Sequence, residues 1–580
     1  MNKQIYDYIV IGAGTAGGII AKELTDDKRT SVLVLEAGTN MMQEQSSGSS
    51  PGSGVLNADN KLSFNMLTKL EQTIGNRQLR ISSGRTIGGS SEHNAMYAVR
   101  GSKEYYDDLA RQFGPQWSYR SVRELFIKNE TYTGNTDRDF QGERGTNGPV
   151  FVRQQIIPEK SLTVTLANAT ADVLKIRRVE DYNTGVRDCT FYKSQILNKE
   201  VNGKFVRSST ATGYLNEDVV TQGNEFYPDE YGVNGRELVI LAKTTVDNII
   251  FHRKKGQNIA VGVRFVHDGV SYKAYARKGV ILSAGNFSSV ILQRSGIGSS
   301  TDLAKAGIST LVESPNVGHN FVTHFIAGMG VEVETSRLQA LIDADPNLPF
   351  PLGAFKADGT TGGRRLQIYS SVGPSSVPAA VVVQNNWAYD PKKESNIMGI
   401  SIFDLVPRSR GTILIAHSDP EAYPSLDLNP LADLNDLNFM VDRYIDVYNI
   451  MKRAAELDPA GKYNVVYPSG DIFQKADEAE KRSELAKYVR ASYGNTAHFG
   501  GQCRMGQSIQ DGVVDGFLNV FGTKNLKVAD LSVFPVLHDG NNTMPVQMTG
   551  LNAVRFIKND PNPCVVNDEE LAENFGVCIQ

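Results

Sequence analysis

The sequence predicts a large α/β protein in which two domains share a substantial core. Its 580 residues are several times the usual domain length of about 100 to 150. Short apolar runs that are typical of buried strands alternate along the chain with segments of helical periodicity. The clearest alternation opens the chain as a strand, a helix and a second strand, which is the pattern of a parallel sheet.

The opening strand–helix–strand unit carries a glycine-rich turn. Its three segments are YDYIVIG at 6–12, GTAGGIIAKELTDD at 14–27 and SVLVLEAG at 31–38. Gly12, Gly14 and Gly17 follow the G-x-G-x-x-G spacing, which allows a tight reversal, close approach of the backbone to a pyrophosphate, and close packing of helix on strand. The helix N-terminus then faces the phosphate charge. This unit predicts a Rossmann-like dinucleotide site.

An acidic residue completes the same fingerprint. Glu36 ends the second strand about 20 residues after the glycines, where a carboxylate can accept hydrogen bonds from adenosine ribose hydroxyls. Thr15, Ala16 and Ala37 are predicted to contact the nucleotide beside it. The alternative is a glycine-rich turn in an unrelated α/β protein, and the motif does not distinguish FAD from NAD.

The remaining pattern predicts further strands and helices. Helical periodicity covers 102–130, 434–457 and 474–490, and apolar segments at 237–242, 258–266 and 279–285 predict strands. A Ser/Gly/Pro run at 43–54 predicts an exposed loop without chemistry. In 385–391, NNWAYDP, Trp387 and Tyr389 could line an entrance, although core or loop packing is the favoured interpretation.

Composition excludes some classes of function. The 60 basic and 64 acidic residues leave a formal net charge of -4, which favours neither nucleic acid nor an anionic membrane as a partner. No apolar run reaches the roughly 20 residues of a membrane span, and MNKQ leads directly into a strand rather than a secretory segment. We therefore expect a cytoplasmic protein by default.

The cysteines leave that expectation open. Four cysteines are too few for a disulfide framework and lack the spacing of metal ligands, so no metal site is predicted. Cys564 and Cys578 nevertheless lie close together in the C-terminal tail, where a bridge could form in an oxidising environment. Two free thiols are the alternative.

Three separated motifs lie beyond the N-terminal unit: GRTIGGSSEHN at 84–94, SSVILQRSGIG at 288–298 and VVDGFLNVFGTKNLKVADLSVFP at 513–535. They resemble the signature segments of one family, the glucose–methanol–choline (GMC) flavin oxidoreductases. Further similar segments lie at 116–130, 207–215 and 316–324 in the same order. The resemblance covers most of the chain.

The resemblance implies a fold and a domain division. It implies a discontinuous FAD-binding domain at 1–155, 206–320 and 491–560, and a tail at 561–580. The substrate-binding domain would comprise 156–205 and 321–490, as a mixed sheet covered by helices of the α+β type.

The resemblance also implies FAD as the cofactor and extends its predicted binding site. Glycine-rich backbone can approach a phosphate or the flavin ring closely because no side chain intervenes. The implied cofactor residues beyond the N-terminal unit are Gly84, Arg85, Gly88, Gly89, Ser90, His93, Asn94, Ala95, Val246, Asp530 and Asn541.

A catalytic pair follows from the C-terminal motifs. His498, in AHFGGQCRMG, matches the family's catalytic histidine, and Asn541, eleven residues after Asp530, matches the position of a second partner that is histidine or asparagine. A neutral imidazole can accept a hydroxyl proton, and an amide can donate a hydrogen bond to the resulting alkoxide. His538, three residues before Asn541, is the competing second partner, and a structural histidine with a turn asparagine is the alternative.

A third histidine raises the possibility of a covalent flavin. His93 occupies a position where many members carry an aliphatic residue, but some carry a histidine bonded to the flavin. A bond from imidazole to the flavin methyl would fix the ring and alter its electronics. A histidine that only hydrogen-bonds beside the flavin is the alternative.

These residues predict an FAD-dependent alcohol oxidase or dehydrogenase. In this interpretation His498 removes the hydroxyl proton of a small alcohol, hydride passes to the flavin, and oxygen or another acceptor reoxidises it. A primary or benzylic alcohol is the expected substrate by analogy. The alternatives are a hydroxynitrile lyase that retains its flavin, and a structural protein that reuses the fold, for example in a viral particle.

Overall fold

The structure, a computed structural model, describes most of the chain. The described residues are 4–40, 62–137, 142–224, 226–345, 351–359, 363–372 and 396–577. The predicted loop at 43–54, the aromatic residues Trp387 and Tyr389, and the proposed bridge to Cys578 lie outside them.

A large sheet is built around the N-terminal strand. Ile5–Ile11 lies in parallel between Val32–Leu35 and Val270–Leu282, with Ile9 opposite Leu33 and Val280. The apolar run of Ile5–Ile11 fits a strand that is covered on both faces, as parallel sheets require. The order of strands in the sheet is Glu230–Tyr231, Leu238–Leu241, Val32–Leu35, Ile5–Ile11, Val270–Leu282, Gln257–His267 and Thr244–Lys254. Two short strands join it from later in the chain: Thr523–Lys524 pairs with Gln257–His267, and Leu526–Val528 pairs with Val270–Leu282.

Two helices cover one side of this sheet at the cofactor end. Gly17–Leu24 follows the first strand directly and packs against Thr543–Lys558. Gly550 allows that contact, because a Cβ there would lie 2.9 Å from the carbonyl oxygen of Ala16. A helix from near the start of the sequence and one from near its end therefore pack together beside the predicted dinucleotide turn.

A second sheet lies on the predicted substrate side. Ile397–Asp404 is buried along its whole length and pairs antiparallel with Phe325–Glu332 and Leu366–Val372. The sheet is mixed, since Arg177–Arg178 pairs in parallel with Cys189–Phe191. Its order is Asn464–Tyr467, Phe325–Glu332, Ile397–Asp404, Leu366–Val372, Gly353–Lys356, Cys189–Phe191 and Arg177–Arg178, and Gly494–Asn495 pairs with Phe325–Glu332.

Helices cover this second sheet. The central one, Leu434–Leu457, packs on Ile397–Asp404 and contacts Leu162–Leu174 and Glu478–Ser492. Its apolar residues belong to a hydrophobic core distinct from the one around the N-terminal sheet. The α/β class and the mixed, helix-covered sheet are confirmed, and the domain boundaries stay a prediction.

Smaller elements complete the described fold. The remaining α-helices are Lys103–Phe113, Tyr119–Asn129, Thr210–Tyr214, Ser288–Arg294, Ser300–Lys305, Thr335–Ala344, Asp471–Gln474 and Asp568–Phe575. The 3₁₀ turns are Gln72–Ile74, Gly89–Glu92, Pro115–Trp117, Gly285–Phe287, Pro459–Gly461 and Leu531–Val533. Three small sheets have two strands: Ser63–Leu67 with Arg80–Gly84, Asn198–Val201 with Lys204–Arg207, and Ile297–Gly298 with Val312–Glu313. Two have three strands, in the orders Glu130–Thr133, Val150–Gln154, Gln195–Ile196 and His319–Phe321, Gly411–Leu414, Ser425–Asp427.

The predicted helices agree with the structure to different degrees. The helix predicted at 434–457 has the observed bounds, and Asp433 caps it by accepting a hydrogen bond from Asn435 N. The pattern at 102–130 is divided into two helices because Gly114, at φ +109°, and Pro115 end the first one. The pattern at 474–490 becomes a helix from 478 to 492, which Asp477 caps. None of the described helices has both the length and the apolar character needed to cross a membrane.

Candidate active site

The glycine-rich turn after the first strand leaves no room for side chains at Gly12 and Gly17. Gly12 adopts φ +94°, and a Cβ on it would lie 2.6 Å from the carbonyl oxygen of Ser283. A Cβ on Gly17 would lie 2.0 Å from the carbonyl oxygen of Gly12, so the helix can start this close to the strand only at glycine. The turn thus presents bare backbone to the space above it.

Glu36 stands at the edge of this turn. Its carboxylate accepts hydrogen bonds from Ala13 N and Gly38 N, both at 2.8 Å. Burial raises the pKa of Glu36 to about 7, and the backbone amides act in the opposite direction. The carboxyl is therefore held in one orientation beside the dinucleotide turn.

The second glycine-rich segment packs against the first. Gly88 N donates to the carbonyl oxygen of Ala13 at 2.8 Å, and a Cβ on Gly89 would lie 2.8 Å from the Cα of Gly14. Gly84 is equally confined, since its Cβ would lie 2.3 Å from the carbonyl carbon of Gly89. Two separated motifs of the sequence therefore form one backbone-lined wall.

A single cavity of about 820 Å³ runs from this wall to the predicted catalytic pair. Most of the predicted cofactor residues line it: Gly12, Gly14, Thr15, Ala16, Glu36, Ala37, Gly84, Gly89, Ser90, His93, Asn94, Ala95, Val246, Asp530 and Asn541. Three predicted cofactor residues do not line the cavity: Gly17, Arg85 and Gly88. Arg85 contacts a lining residue, since its Nε donates to the carbonyl oxygen of Ala37 at 3.3 Å.

His498 lies half-buried at the far end of the cavity. It follows Ala497, whose φ of +58° turns the chain just before the histidine. Nδ1 of His498 is 2.9 Å from Nδ1 of His324, and the two rings are nearly perpendicular at 89°. Burial lowers the pKa of His498 to about 4, so its imidazole is neutral at physiological pH.

Asn541 faces the same space. Gln367 Nε2 donates a hydrogen bond to Oδ1 of Asn541 at 2.9 Å, which leaves the Asn541 amide nitrogen to donate toward the cavity. The turn that carries Asn541 is anchored by Asp539, whose carboxylate accepts from Ser102 N at 2.9 Å and Arg364 N at 3.0 Å. The asparagine is held from both its side chain and its backbone.

His538 is placed differently. It is fully buried among Tyr105, Tyr106 and Phe534, with ring centroids 4.1 to 6.0 Å away, and it does not line the cavity. Neither ring nitrogen makes a hydrogen bond with a described residue. Burial lowers the pKa of His538 to about 3. This position favours Asn541 over His538 as the second partner.

His93 lines the cavity on the side of the second glycine segment. Its side chain is buried, and its Nε2 has no hydrogen-bond partner among the described residues. Burial and the nearby Arg207 lower the pKa of His93 to about 4, which keeps the ring neutral. The adjacent Asn94 is fixed by a 2.7 Å hydrogen bond from its Nδ2 to Thr543 Oγ1 and a 2.8 Å bond from Arg207 to its Oδ1.

Asp530 organises the backbone between these groups. Its buried carboxylate accepts from Gly285 N at 2.9 Å, Ser288 Oγ at 2.6 Å, and both Ser532 N and Ser532 Oγ. Burial raises the pKa of Asp530. Because its oxygens are engaged by protein donors, Asp530 holds the wall of the cavity in shape.

Aromatic side chains wall the cavity near the catalytic pair. The ring of Tyr369 lies 5.8 Å from that of Tyr97 and 4.6 Å from that of Phe403. Ile326 lines the same region. The three aromatic residues together with Ile326 are here called the aromatic wall, and none of them carries a formal charge.

Family models and known proteins resemble this chain over nearly its whole length. One model described as GMC oxidoreductase matches residues 6–326, and a second with the same description matches 407–550. The chain belongs to the GMC oxidoreductase family. An oxygen-dependent choline dehydrogenase of Chromohalobacter salexigens is 29% identical over 557 residues, which cover 94% of this chain and 93% of that protein.

Solved structures share the GMC fold. Pyridoxine 4-oxidase from Mesorbium loti has a TM-score of 0.75 at 21% identity, covering 95% of this chain and 98% of the other. A formate oxidase of Aspergillus oryzae, whose FAD modification has been studied, has a TM-score of 0.79 at 20% identity, covering 97% and 99%. At these identities the likeness concerns the fold alone.

FAD is the cofactor of this GMC oxidoreductase, and the cavity fits it. Gly12 and Gly14 present backbone without side chains at the end of the cavity suited to the pyrophosphate. Glu36 lines the same end, where its carboxylate can contact a ribose. Buried polar atoms without protein partners, His93 Nε2 and both amide atoms of Asn542, face the flavin end of the same cavity. A ligand with hydrogen-bonding edges is needed to satisfy such atoms.

Three residues of this GMC site were not predicted. His324 and Gln367 each contact one member of the catalytic pair, and Asn542 lines the cavity. His324 ends a segment similar to the family, 316–324, and Asn542 lies in the DGNN turn, so both had a weak sequence signal. Gln367 had none.

Proposed function

We propose that this chain oxidises a small alcohol to an aldehyde or ketone, with His498 as the base. The observation that carries the proposal is that His498 and Asn541, which lie 43 residues apart in the sequence, line one end of the FAD cavity. Bound FAD supplies the acceptor for the hydride that leaves the alcohol carbon.

His498 accepts the proton of the alcohol's hydroxyl group. Because burial lowers its pKa to about 4, the ring enters the reaction unprotonated. With Nδ1 occupied by His324, Nε2 is the nitrogen available to the alcohol. A weak base of this kind accepts the proton as alkoxide character develops and returns it readily to water.

Asn541 stabilises the charge that appears on the same oxygen. Its Oδ1 is held by Gln367, so its Nδ2 is the donor that can face the alkoxide. A neutral donor and a neutral base can bind one hydroxyl group together, the asparagine donating to the oxygen and the histidine accepting from it.

The aromatic wall supports an uncharged, flat substrate. Tyr97, Tyr369 and Phe403 offer ring faces beside the base, and aromatic pairs gain about 0.5–1.5 kcal/mol beyond their area burial. We therefore favour a primary benzylic alcohol, whose ring can stack on these faces. Ring faces also attract quaternary ammonium groups, so a choline-type cation is the competing substrate in the test. Oxygen or another electron acceptor completes the cycle.

We also propose that His93 is bonded to the flavin. Its neutral ring lines the cavity with Nε2 unpaired by the described protein, which suits an imidazole that forms an N–C bond with the flavin methyl. In such a bond the imidazole nitrogen would replace one hydrogen of the methyl group and lose its own proton, a two-electron oxidation for which the electron acceptor of turnover would serve as oxidant.

The two alternative functions are not favoured. A hydroxynitrile lyase would leave the flavin oxidised while releasing cyanide, and a structural protein would not require an unprotonated histidine beside the cofactor. The choline dehydrogenase of Chromohalobacter salexigens, a named oxidoreductase, supports redox chemistry.

Anaerobic mixing with alcohols tests the proposal. We expect benzyl alcohol to bleach the flavin absorbance and to yield benzaldehyde in equal amount, with choline and glucose much slower. Cyanide release from mandelonitrile without bleaching would favour the lyase. A flavin that no alcohol bleaches would contradict alcohol oxidation.

A further inference from the structure

A buried histidine and a half-buried one share one hydrogen bond beside the cavity. His324 is fully buried just before the strand Phe325–Glu332 of the second sheet, and its Nδ1 lies 2.9 Å from Nδ1 of His498. A single proton can lie between two such nitrogens, so one ring donates and the other accepts. The direction of this bond decides which nitrogen of His498 is unprotonated.

Both rings are neutral. Burial lowers the pKa of His498 to about 4 and that of His324 well below its ordinary value of 6.5. Burial is the main cause of the lowered pKa of His324, and the neighbouring imidazoles of His498 and His538 also disfavour its protonation. Each ring therefore carries one proton, and two arrangements of the pair are available.

The role proposed for His498 requires one of them. Nε2 of His498 can take the alcohol proton only when the ring's own proton is on Nδ1, and that nitrogen lies 2.9 Å from Nδ1 of His324. Nε2 of His324 is buried without a hydrogen-bond partner among the described residues, so the described protein does not impose the opposite arrangement. A proton on Nε2 leaves Nδ1 of His324 as an acceptor. The main chain that carries His324 is held by Thr496, which donates to the His324 carbonyl from N at 3.2 Å and from Oγ1 at 3.0 Å.

We infer that His324 is a positioning residue: it accepts a hydrogen bond from Nδ1 of His498 and so keeps Nε2 of His498 unprotonated toward the alcohol. The inference rests on the proposed role of His498 as base. In the opposite arrangement His498 would present an N–H to the substrate and could not take its proton. His324 thus performs with a neutral ring the orienting task that a carboxylate performs in serine hydrolases.

A neutral partner has a distinct consequence. When His498 gains a proton, His324 can share the charge only weakly, whereas a carboxylate would stabilise the imidazolium strongly. His324 therefore orients the base without raising its proton affinity. Replacing it by aspartate should raise the pKa of His498, which separates this role from simple packing.

Three variants of the holoenzyme test the inference. In His324→Leu, which cannot accept a hydrogen bond, we expect flavin reduction by benzyl alcohol to slow by about 10²–10⁴-fold with KM nearly unchanged. His324→Asn retains an acceptor near Nδ1 and should recover most of that loss. His324→Asp should shift the acid limb of the pH profile upward. His319→Asn, which alters a histidine paired with Asp302, is the control.

A tautomer measurement on the unmodified protein keeps the inference testable if a variant fails to fold. In protein labelled with ¹⁵N-histidine, with the His498 signals assigned by difference from His498→Gln, we expect the proton on Nδ1. A proton on Nε2, or a His324→Leu variant as fast as the unmodified enzyme, would overturn the inference. Failure of the proposed function shows differently, as undiminished reduction in His498→Gln whatever the tautomer.

Discussion

Gln367 Nε2 donates a hydrogen bond of 2.9 Å to Oδ1 of Asn541, which joins the second sheet to the turn before the last long helix. A free asparagine amide can turn by 180° and present either its oxygen or its nitrogen. With Oδ1 held by Gln367, only the nitrogen is left to donate toward the cavity. A residue of the second sheet thus sets which end of the Asn541 amide faces the cavity.

Loss of this hydrogen bond should slow the reaction. In Gln367→Leu, we expect kcat to fall about tenfold, because the Asn541 amide spends part of its time with its oxygen toward the alkoxide. Stopped-flow flavin reduction measures the effect. Gln339→Leu, on an exposed helix where Gln339 contacts Asp343, is the matched control. An unchanged rate in Gln367→Leu would show that Asn541 needs no such orientation.

A substitution at Gly14 should reduce cofactor binding without impairing folding. A Cβ on Gly14 would meet atoms only at 3.8 and 3.9 Å, so Gly14→Ala should fold with nearly unchanged Tm. The added methyl would keep the backbone from the pyrophosphate, and we expect the purified protein to contain much less FAD. Gly17→Ala, with its 2.0 Å approach, should instead impair folding. Full flavin content in Gly14→Ala would contradict this placement.

The proposed bond at His93 has a direct chemical readout. After acid precipitation of the unmodified protein, we expect the yellow chromophore to stay with the pellet, and a flavin-bearing peptide that contains His93 to appear on mass analysis. His93→Ala should release its flavin to the supernatant. Release of FAD from the unmodified protein would remove the covalent link and leave the rest of the account intact.

Buried histidines predict acid sensitivity. His538 has a pKa lowered from 6.5 to about 3, so between these values the unfolded chain takes up a proton that the folded chain does not. Stability therefore falls as pH drops below 6.5, and His538 alone accounts for about 2 kcal/mol at pH 5. His538→Phe, which suits its aromatic surroundings, should lose less stability from pH 7 to pH 5 in urea unfolding. An equal loss in both proteins would contradict this origin.

The N-terminal unit could be predicted because its signals are local. The turn at Gly12, the helix after it and the acid at Glu36 lie within one short segment, where each residue type has one structural reason. The helical pattern at 102–130 was predicted less well, since periodicity continues across Gly114 while the backbone does not. The backbone conformation of Gly114 ended the helix there, although the apolar pattern continued.

The contacts of the catalytic pair could not be predicted in the same way. His324 and Gln367 each lie 174 residues from the side chain that they contact. His324 immediately precedes the strand Phe325–Glu332, and Gln367 lies in the strand Leu366–Val372 of the same sheet. Nothing in the local pattern of either segment indicates which of its residues reaches the cavity. The family resemblance supplied His498 and Asn541, but their orientation depends on tertiary packing.

The rate of flavin reduction in His498→Gln tests the central claim most directly. Under anaerobic conditions with saturating benzyl alcohol, the account predicts a decrease of about 10²–10⁴-fold against the unmodified enzyme, with FAD content unchanged. In the unmodified enzyme the rate should stay level from pH 8 down to well below 6.5, because the pKa of His498 is lowered to about 4. Reduction of His498→Gln at the unmodified rate would contradict the assignment of His498 as the base.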